Sequence, residues 1–410
     1  MISSDVVIIG SGPAGVSTAL HLLRTDPTLA GNILVLEKAT HPREKICAGG
    51  LIPHTLDCLQ EMDVPLSVPH VQVDRAFVRV PPHHEVFCED GGMCSIVRRD
   101  EFDFSLVQAV RAYGAEIREN EKAVAYVREP NGVRVMTNKE TYFARIVVGA
   151  DGSGSRVRRQ LIGGEETSIG KAIMSDIPVA ETWWPGFAQR RYDFNFLPVH
   201  QGLKGYLWEF PCLISGVPHV NVGIYSLGDT SLSNEDLQHL LAREISTLQA
   251  QGSDAKFQAP NSKSQVPSPK FRAFPIHGYT PRQPLAAPHV VLVGDAAGAE
   301  PLMGEGISFA LEYGKFAARA IYSALQVKRF DFNDYTTALA RSRLGKKLTR
   351  LYYTTKLFYG RTAPLWFTLA ARSPRLQSVG LKWYNGVDGW HERSGWEAVL
   401  QVLLPARNER

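Results

Sequence analysis

The sequence predicts an α/β fold, α+β overall: a Rossmann-like nucleotide-binding domain with an inserted, mainly antiparallel β domain and a helical C-terminal tail. Three observations predict this fold. The chain opens with an apolar strand, a glycine-rich turn, a helix and a second apolar strand. Two later apolar strands each end at a glycine and an aspartate, and segments of strand-like composition lie between them. The 410 residues are enough for two or three domains.

The composition is that of a globular protein with no nucleic-acid partner. Hydrophobic residues make up 44% and charged residues 21%, and the net charge is only +4. The five cysteines include no CxxC pair, so we expect neither a metal site nor a disulfide framework. The first strand starts almost at Met1, and no apolar run approaches about 18 residues. We therefore expect a cytoplasmic protein without a signal peptide or a transmembrane helix.

The N-terminal motif predicts a dinucleotide site. The strand DVVIIG ends at Gly10 and is followed by Ser11-Gly12-Pro13-Ala14-Gly15 and a helix from Val16 to Leu23. Gly10 permits the tight turn, Gly12 lets the backbone approach a pyrophosphate, and Gly15 lets the helix and strand pack closely. The helix N-terminus offers amides to the phosphates. The second strand, NILVLEK, ends near Glu37, whose carboxylate can accept hydrogen bonds from an adenosine ribose.

Two later motifs help to identify which dinucleotide cofactor the site binds. Residues 145–159, RIVVGADGSGSRVRR, are a strand that leads into Asp151-Gly152. Residues 289–311 are a strand ending at Gly294-Asp295, then a turn of small residues and a helix that opens near Gly304-Glu305-Gly306. The order of these motifs resembles that of the FAD-dependent oxidoreductases with the para-hydroxybenzoate-hydroxylase fold. The resemblance covers about the first 325 residues.

The resemblance implies roles for further residues. Asp295 should bind a ribityl hydroxyl, the helix at Gly306-Ile307 should direct amides at the flavin pyrimidine, and Arg99 should reach the cofactor from the start of its helix. The backbone at Val124 should meet adenine. A helix N-terminus stabilises the negative charge of reduced flavin, and glycine lets backbone approach the ring. The full predicted cofactor site is Gly10, Gly12, Pro13, Ala14, Gly15, Glu37, Lys38, Cys47, Ala48, Gly49, Arg99, Val124, Asp295, Gly304, Gly306 and Ile307.

The chain contains no second GxGxxG motif. We therefore expect no separate Rossmann domain for NADPH. The electrons should come either from transient contact with NADPH or from another reduced carrier.

Three stretches resemble the geranylgeranyl reductase family. EKICAGGL (44–51) resembles the family's KxCxGG stretch, GYLWEFP (205–211) its YxWxFP motif, and VNVGI (220–224) the NVG strand that follows. The chain departs from the family pattern at Ala48, where glycine is common, and at Cys212, where lysine is usual. The resemblance implies an isoprenoid lipid as substrate and saturation of its C=C bonds.

The YxWxFP stretch predicts an aromatic wall. Side chains two apart on a strand share a face, so Tyr206, Trp208 and Phe210 should lie side by side. Such a wall suits a long apolar substrate. The alternative is ordinary sheet core.

In the predicted reaction, reduced flavin gives a hydride to one alkene carbon and the other carbon receives a proton, in a site that excludes water. Cys47 is the first candidate at the flavin edge, as a proton donor or as part of the pocket wall. A nearby Lys45 argues against Cys47 as the acid. Glu305, Tyr206 and His54 are rival donors, and the predicted catalytic set is Cys47, Tyr206, Trp208 and Glu305.

Two other functions remain open. A monooxygenase of the same fold would hydroxylate its substrate, and flavin halogenases carry a similar WxWxIP motif, with Trp where this chain has Tyr206. A non-catalytic prenyl-lipid binding protein, like the Rab escort proteins, is the alternative outside enzymes.

The C-terminal tail suits a membrane surface. From Arg341 to Lys382 there are ten Lys or Arg and no Asp or Glu, interleaved with aromatic and leucine residues. This pattern predicts peripheral contact with an anionic bilayer through residues 341–383. The alternatives are a helical cap with a solvated basic face and a subunit interface, and the oligomeric state stays open.

The motifs divide the chain into three regions. We expect a discontinuous FAD-binding domain at 1–70, 95–170 and 275–325, a substrate domain at 71–94 and 171–274, and a helical region at 326–410. Within the substrate domain, 71–80 and 219–226 should be strands, 233–250 a helix, and the Pro- and Ser-rich segment 258–270 an exposed loop.

Overall fold

A computed structural model describes residues 2–81, 84–89, 92–163, 169–182, 184–254 and 270–387. The predicted loop 258–270, apart from its last residue, and residues 388–410 of the predicted helical region lie outside the described residues. The strands are β1 Ile2–Ile9, β2 Ile33–Leu36, β3 Gly50–Leu51, β4 His70–Val73, β5 Arg75–Val80, β6 His84–Cys88, β7 Cys94–Val97, β8 Glu116–Arg118, β9 Ala123–Glu129, β10 Gly132–Thr137, β11 Thr141–Gly149, β12 Ile169–Pro178, β13 Arg191–Asn195, β14 Gly205–Ile214, β15 Val217–Ser226, β16 Arg272–His277, β17 Ala286–Ala287 and β18 Val290–Leu292.

The α-helices are α1 Pro13–Thr25, α2 Pro53–Glu61, α3 Arg99–Ala112, α4 Pro185–Ala188, α5 Asn234–Asp254, α6 Ile307–Val327, α7 Tyr335–Arg341, α8 Arg343–Phe358, α9 Ala363–Arg372 and α10 Pro374–Asn385. None of the helices in the described part of the chain is both long and apolar enough to cross a membrane.

The first sheet carries the nucleotide motif. Its order is β17-β18-β11-β1-β2-β8, and β18, β11, β1, β2 and β8 run parallel, while β9 and β10 extend it by antiparallel pairing. Val6 to Ile9 of β1 are all buried, as expected for a parallel strand covered on both faces. α1 and α6 pack closely, because Gly314 leaves room for Ser17, whose hydroxyl donates to Leu311 O at 2.7 Å.

The second sheet separates two apolar layers. Its order is β16-β12-β15-β14-β13-β5-β6, antiparallel except for the parallel pair β13–β5. One face, with Leu207 and Val222, packs in a hydrophobic cluster with Leu241 and Ile245 of α5. The opposite face, with Tyr206 and the other aromatic residues of β14, belongs to the main core. The alternation of β14 therefore places the aromatic residues toward the first sheet.

A small third sheet corrects one prediction. The segment 71–80 is not one strand but two: β4 joins β7 and β3, whereas β5 joins the second sheet. The break falls at Asp74, where the amides of Asp74 and Arg75 both donate to Arg190 O. This off-strand acceptor redirects the chain from one sheet to the other. The α/β, α+β class, with sheets of both kinds and a helical C-terminal region, is confirmed.

Candidate active site

One large cavity lies between the first sheet and the aromatic face of the second. It measures about 990 Å³, at the upper end of the range for small-molecule sites. It begins at the carboxyl ends of β1, β2, β11 and β18, the usual ligand edge of a parallel sheet. Most predicted site residues line it: Gly10, Gly12, Pro13, Ala14, Glu37, Lys38, Cys47, Ala48, Arg99, Tyr206, Trp208, Asp295, Gly304, Glu305, Gly306 and Ile307.

The glycine turn forms one end of the cavity. Gly10 has φ of +107°, and a Cβ there would lie 2.4 Å from Ala150 O, so only glycine fits. Around Gly12 the space is open, with Arg43 Nη2 at 3.8 Å from the position of a Cβ as the single neighbour. Gly12 is also the N-cap of α1 and makes no side-chain capping bond. The amides of α1 are therefore free to receive an anion.

Glu37 is held as a carboxylate beside this turn. Glu37 Oε2 accepts from the amide of Ser11 at 3.1 Å and from the hydroxyl of the same serine at 2.8 Å. Glu37 Oε1 accepts from the amide of Ala39 at 3.0 Å. Burial alone would raise the Glu37 pKa, but the Arg43 charge and these hydrogen bonds outweigh burial and lower it. Glu37 lines the cavity, so its carboxylate could also accept from ribose hydroxyls there.

Three polar atoms along this end test whether a dinucleotide fits. Within the described ranges, Arg43 Nε, Tyr126 OH and Asp151 Oδ1 are buried without a hydrogen-bond partner, and all three residues line the cavity. Arg43 Nε does form an ion pair with Glu37 Oε2 at 3.5 Å. A buried polar atom without a partner is costly, so these atoms indicate a polar ligand. Together with the open backbone at Gly12, they fit the phosphates and sugar of FAD.

Asp295 lies further along the cavity. Its Oδ2 accepts from Ser153 Oγ at 3.3 Å. A Cβ on Gly306 would lie 3.6 Å from Asp295 Oδ1, so the carboxylate reaches the start of α6. This is the place at which the sequence predicted a ribityl contact.

The start of α6 differs from the expectation. The amide of Ile307, predicted to face the flavin pyrimidine, donates to Glu305 Oε1 at 3.0 Å, as does Ser308 N. Ser308 Oγ donates to Glu305 Oε2 at 2.6 Å. Because Glu305 accepts all three bonds, it caps the helix here, which argues against Glu305 as a proton donor.

The loop before α6 is fixed by buried side chains. Glu300 accepts from the amides of Leu302, Met303 and Glu305. Burial raises the Glu300 pKa to about 7, against the effect of these hydrogen bonds. The hydroxyl of Tyr206 donates to the carbonyl of Met303.

Two further tyrosines hold the same loop. Tyr225 donates to Pro301 O at 3.3 Å and Tyr359 to Leu302 O at 3.4 Å. The Tyr225 ring also contacts Gly304, which has φ of +70°. The carbonyls of residues 301–303 therefore all accept from tyrosines inside the protein, beside the part of the loop that lines the cavity.

Cations surround Cys47. Arg99 is buried, binds Asp103 through two hydrogen bonds of 2.7 and 3.0 Å, and also interacts with the Cys47 sulfur. Lys45 lines the cavity with its ammonium 3.0 Å from the centroid of the Phe274 ring. Burial lowers the Lys45 pKa to about 8, although the Asp295 charge opposes this effect. Lys45 thus carries a proton at neutral pH that it releases more readily than an ordinary lysine.

The aromatic side chains form one wall, as the period of the strand predicted. Tyr206, Trp208 and Phe210 all line the cavity. Gly223 opposite Trp208 has no side chain, and a Cβ there would lie 2.1 Å from Trp208 Cζ2, so the indole lies across the glycine. Trp208 Nε1 donates to Asn221 Oδ1 at 2.7 Å. The wall is therefore apolar, with its one indole donor already satisfied.

Four candidates do not line the cavity. Gly15 packs against Gly10 O, the close helix–strand contact expected of it. Gly49, with φ of +79°, packs against Val97 O, and the neighbouring Gly50 lines the cavity instead. Val124 O accepts from Arg156 Nη1 at 3.1 Å, and Lys122 and Ala123 are the lining residues there. His54 is buried 3.1 Å from Glu312, which argues against His54 as a donor to the substrate.

Sequence reasoning did not place Arg43 or Glu300 in the site, and it named Lys45 only for its effect on the Cys47 thiol. Arg43 and Lys45 flank Glu44 in the loop after Glu37, where their basic character was a usable signal. No sequence signal indicated the role of Glu300, because this role comes from complete burial and from hydrogen bonds within its own loop.

The comparisons with known proteins agree with this geometry. The family of FAD binding domains matches residues 3–326, so the chain belongs to that family and is an FAD-dependent oxidoreductase. The predicted resemblance to the geranylgeranyl reductases is confirmed. A digeranylgeranylglycerophospholipid reductase of Methanosarcina acetivorans is 28% identical, over 78% of this chain and 75% of its own.

Other relatives extend over more of the chain. A Methanosarcina barkeri protein is 31% identical over 89% of this chain and 86% of its own. A menaquinone reductase of Mycolicibacterium smegmatis is 26% identical over 92% and 90%.

Among solved structures, a geranylgeranyl bacteriochlorophyll reductase-like protein of Thermoplasma acidophilum superposes with a TM-score of 0.74. It is 21% identical and covers 98% of this chain and 96% of its own. A flavin-dependent brominase superposes with a TM-score of 0.72, at 18% identity over 98% and 97%. At these identities both structures support the fold alone.

Proposed function

We propose that the protein saturates C=C bonds of an isoprenoid chain carried on a lipid. The observation that carries the proposal is the continuity of the cavity, which runs from the nucleotide end past Cys47 to an aromatic wall and on to α8–α10. A long apolar chain is the ligand that matches such walls. When bound in reduced form, FAD would supply a hydride, which carries both electrons of the reduction.

Large apolar side chains line the far end of the cavity, together with the polar residues Thr354, Gln377 and Asn385. Phe358, Phe367, Leu376, Leu381 and Trp383 continue the wall formed by β13 and β14. Phe358 and Phe367 pack edge to face, with ring centroids 4.7 Å apart. An isolated alkene is not polarised, so the site must orient it and exclude water, and these side chains serve both purposes.

Lys45 is the proposed proton donor. Its ammonium reaches the cavity two residues from Cys47, and its lowered pKa brings the proton within the range of a general acid. Tyr206 is a poorer donor, because its hydroxyl is bound to Met303 O and burial raises its pKa well above the usual value. Cys47 then shapes the pocket beside Arg99.

The names of relatives support the chemical class and leave the lipid open. They are called digeranylgeranylglycerophospholipid reductase, menaquinone reductase and geranylgeranyl diphosphate reductase. All three names denote reductases. The proposed electron donor is NADPH or a reduced carrier protein.

The test is a single turnover without air. Dithionite-reduced holoenzyme is mixed with a geranylgeranyl phospholipid or with menaquinone in D₂O, and the products are analysed by mass spectrometry. Each saturated bond should add two deuterium atoms, because the hydrogen on flavin N5 exchanges with solvent before it is transferred.

Three outcomes contradict the proposal. A product that gains oxygen, formed only in air, identifies a monooxygenase. Halide incorporation identifies a halogenase. Tight lipid binding without any conversion by protein that is colourless and cannot be reconstituted with FAD identifies a lipid-binding protein.

A further inference from the structure

We propose that the exposed faces of α8 and α9 dock on an anionic lipid bilayer and that the substrate chain enters the cavity beside them. The docking surface consists of Tyr353, Leu357, Leu365, Trp366 and Leu369 with the cations Lys356, Arg361 and Arg372. The entry route rests on the proposed function, whereas the docking itself does not.

Exposed hydrophobic side chains are concentrated here. Among the described residues, thirteen large hydrophobic side chains are exposed, and five of them lie between Tyr353 and Leu369. Their exposed fractions run from 38% for Trp366 to 58% for Leu365. Single exposed apolar residues are normal, but such a cluster marks an interaction site.

Helical spacing places this cluster beside the cavity. On α8, Thr354 and Phe358 line the cavity, while Tyr353 and Leu357 form the adjacent exposed stripe. Residues four apart share a helix face, so each pair is one stripe.

On α9 the pattern repeats. Trp366 and Ala370 line the cavity, while Leu365 and Leu369 are exposed on the adjacent stripe. Trp366 belongs to both groups, because it lines the cavity and is itself 38% exposed. The cavity wall therefore reaches the protein surface at the docking surface.

The positive charge around the docking surface indicates an anionic partner. Lys356, Arg361 and Arg372 are exposed around the cluster. Arg341 to Lys382 contains ten basic and no acidic residues, so no acidic side chain within this segment offsets these cations. Asp229, from outside this segment, interacts with Lys356 and is the acidic neighbour of this surface. Apolar side chains flanked by Arg361, Arg372 and Lys356 complement the acyl boundary and the phosphates of an anionic bilayer.

The test is vesicle sedimentation with holoenzyme. Wild-type protein should sediment with mixed phosphatidylglycerol–phosphatidylcholine vesicles, sediment poorly with pure phosphatidylcholine, and lose binding as salt rises. Leu365→Ser with Leu369→Ser should weaken partitioning by at least about tenfold. Arg361→Ala with Arg372→Ala should weaken it by roughly 10- to 30-fold.

Matched controls carry the same changes elsewhere on the surface. Val127→Ser with Val217→Ser and Lys139→Ala with Arg319→Ala alter exposed residues of other elements and should bind as wild type does. Equal binding by the test and control pairs overturns the proposal. So does a stable wild-type dimer that the Leu365/Leu369 variant dissociates, which would identify the surface as a contact between copies.

Measurements of turnover test the docking proposal and the reductase proposal independently. The Leu365/Leu369 variant should saturate a substrate in vesicles at least about fivefold more slowly, at unchanged rate when the substrate is dispersed in detergent. Vesicle binding with no saturation of any lipid supports docking and ends the reductase proposal. Saturation of a lipid by wild-type protein that does not bind vesicles supports the reductase proposal and overturns the docking proposal.

Discussion

The hydroxyl of Tyr206 donates to the carbonyl of Met303, and this bond joins the aromatic wall to the loop in front of α6. The same loop carries Gly304 and Glu305 into the cavity. A residue chosen from the sequence as a proton donor thus has a positional role in the structure.

Tyr206→Phe should loosen this loop while keeping the wall. The lost hydrogen bond is worth about 0.5–1.5 kcal/mol, and it leaves Met303 O without its donor. We expect FAD to bind a few-fold more weakly, measured by fluorescence titration of apoprotein, with little change in the product. Tyr353→Phe, on the exposed face of α8, is the matched control. Equal affinity in both variants would show that the bond does not position the loop.

The lowered pKa of Lys45 predicts that the rate of saturation falls at high pH. Burial lowers its pKa from 10.5 to about 8, so the ammonium is present below about pH 8 and is lost above it. Single-turnover saturation should therefore slow as pH rises through about 8. Lys45→Gln should slow the reaction by about 10²–10⁴ and abolish this limb of the profile. Lys139→Gln, on an exposed turn, should leave both unchanged. A Lys45→Gln profile that still falls at high pH rules Lys45 out as the donor.

Substitutions of Cys47 should distinguish a chemical role of its thiol from a steric one. Cys47→Ser keeps a small polar group and Cys47→Ala removes it, while Arg99 and Lys45 remain. If the sulfur only shapes the pocket, both variants should retain turnover within about tenfold, with a changed distribution of partly saturated products. Loss of turnover in both, by about 10² or more, would instead assign proton transfer to Cys47. Cys58→Ser, on α2 and outside the cavity lining, controls for the loss of a thiol.

Glu305 should tune the reduction potential. Its carboxylate caps α6 and so offsets the positive end of that helix. In Glu305→Gln the charge is lost, and reduced flavin, which is negative, should become more stable by about 0.3–1 kcal/mol. For a two-electron couple this raises the potential by roughly 6–20 mV. Equilibration with a reference dye measures it, with Glu140→Gln as control. A lower or unchanged potential contradicts this placement of the charge.

Local patterns predicted much of the fold and the nucleotide end of the site. The glycine turn, Glu37 and the alternation at Tyr206, Trp208 and Phe210 depend on residues near one another in the chain, so their spacing carries the information. The division of 71–80 between two sheets depends on Arg190, more than a hundred residues away. No local pattern could reveal it.

The same reasoning explains what was missed inside the site. Glu300 bonds its own loop, and tyrosines from β14, β15 and the end of α8 hold that loop in place. Glu305 was chosen for its position beside glycines, and its capping geometry follows from how the loop is held. These roles arise from tertiary packing, which a single sequence does not record.

The far wall of the cavity comes from α8–α10, the last described helices, whereas the nucleotide end is complete by Ile307. In the proposed reductase, the far end of the lipid site would therefore be encoded apart from the nucleotide site, while the aromatic wall of β14 lies between the nucleotide motifs. A lineage could alter the length of chain it accepts by changing the final helices alone, and exchange of this segment between relatives is a direct route to new substrate ranges.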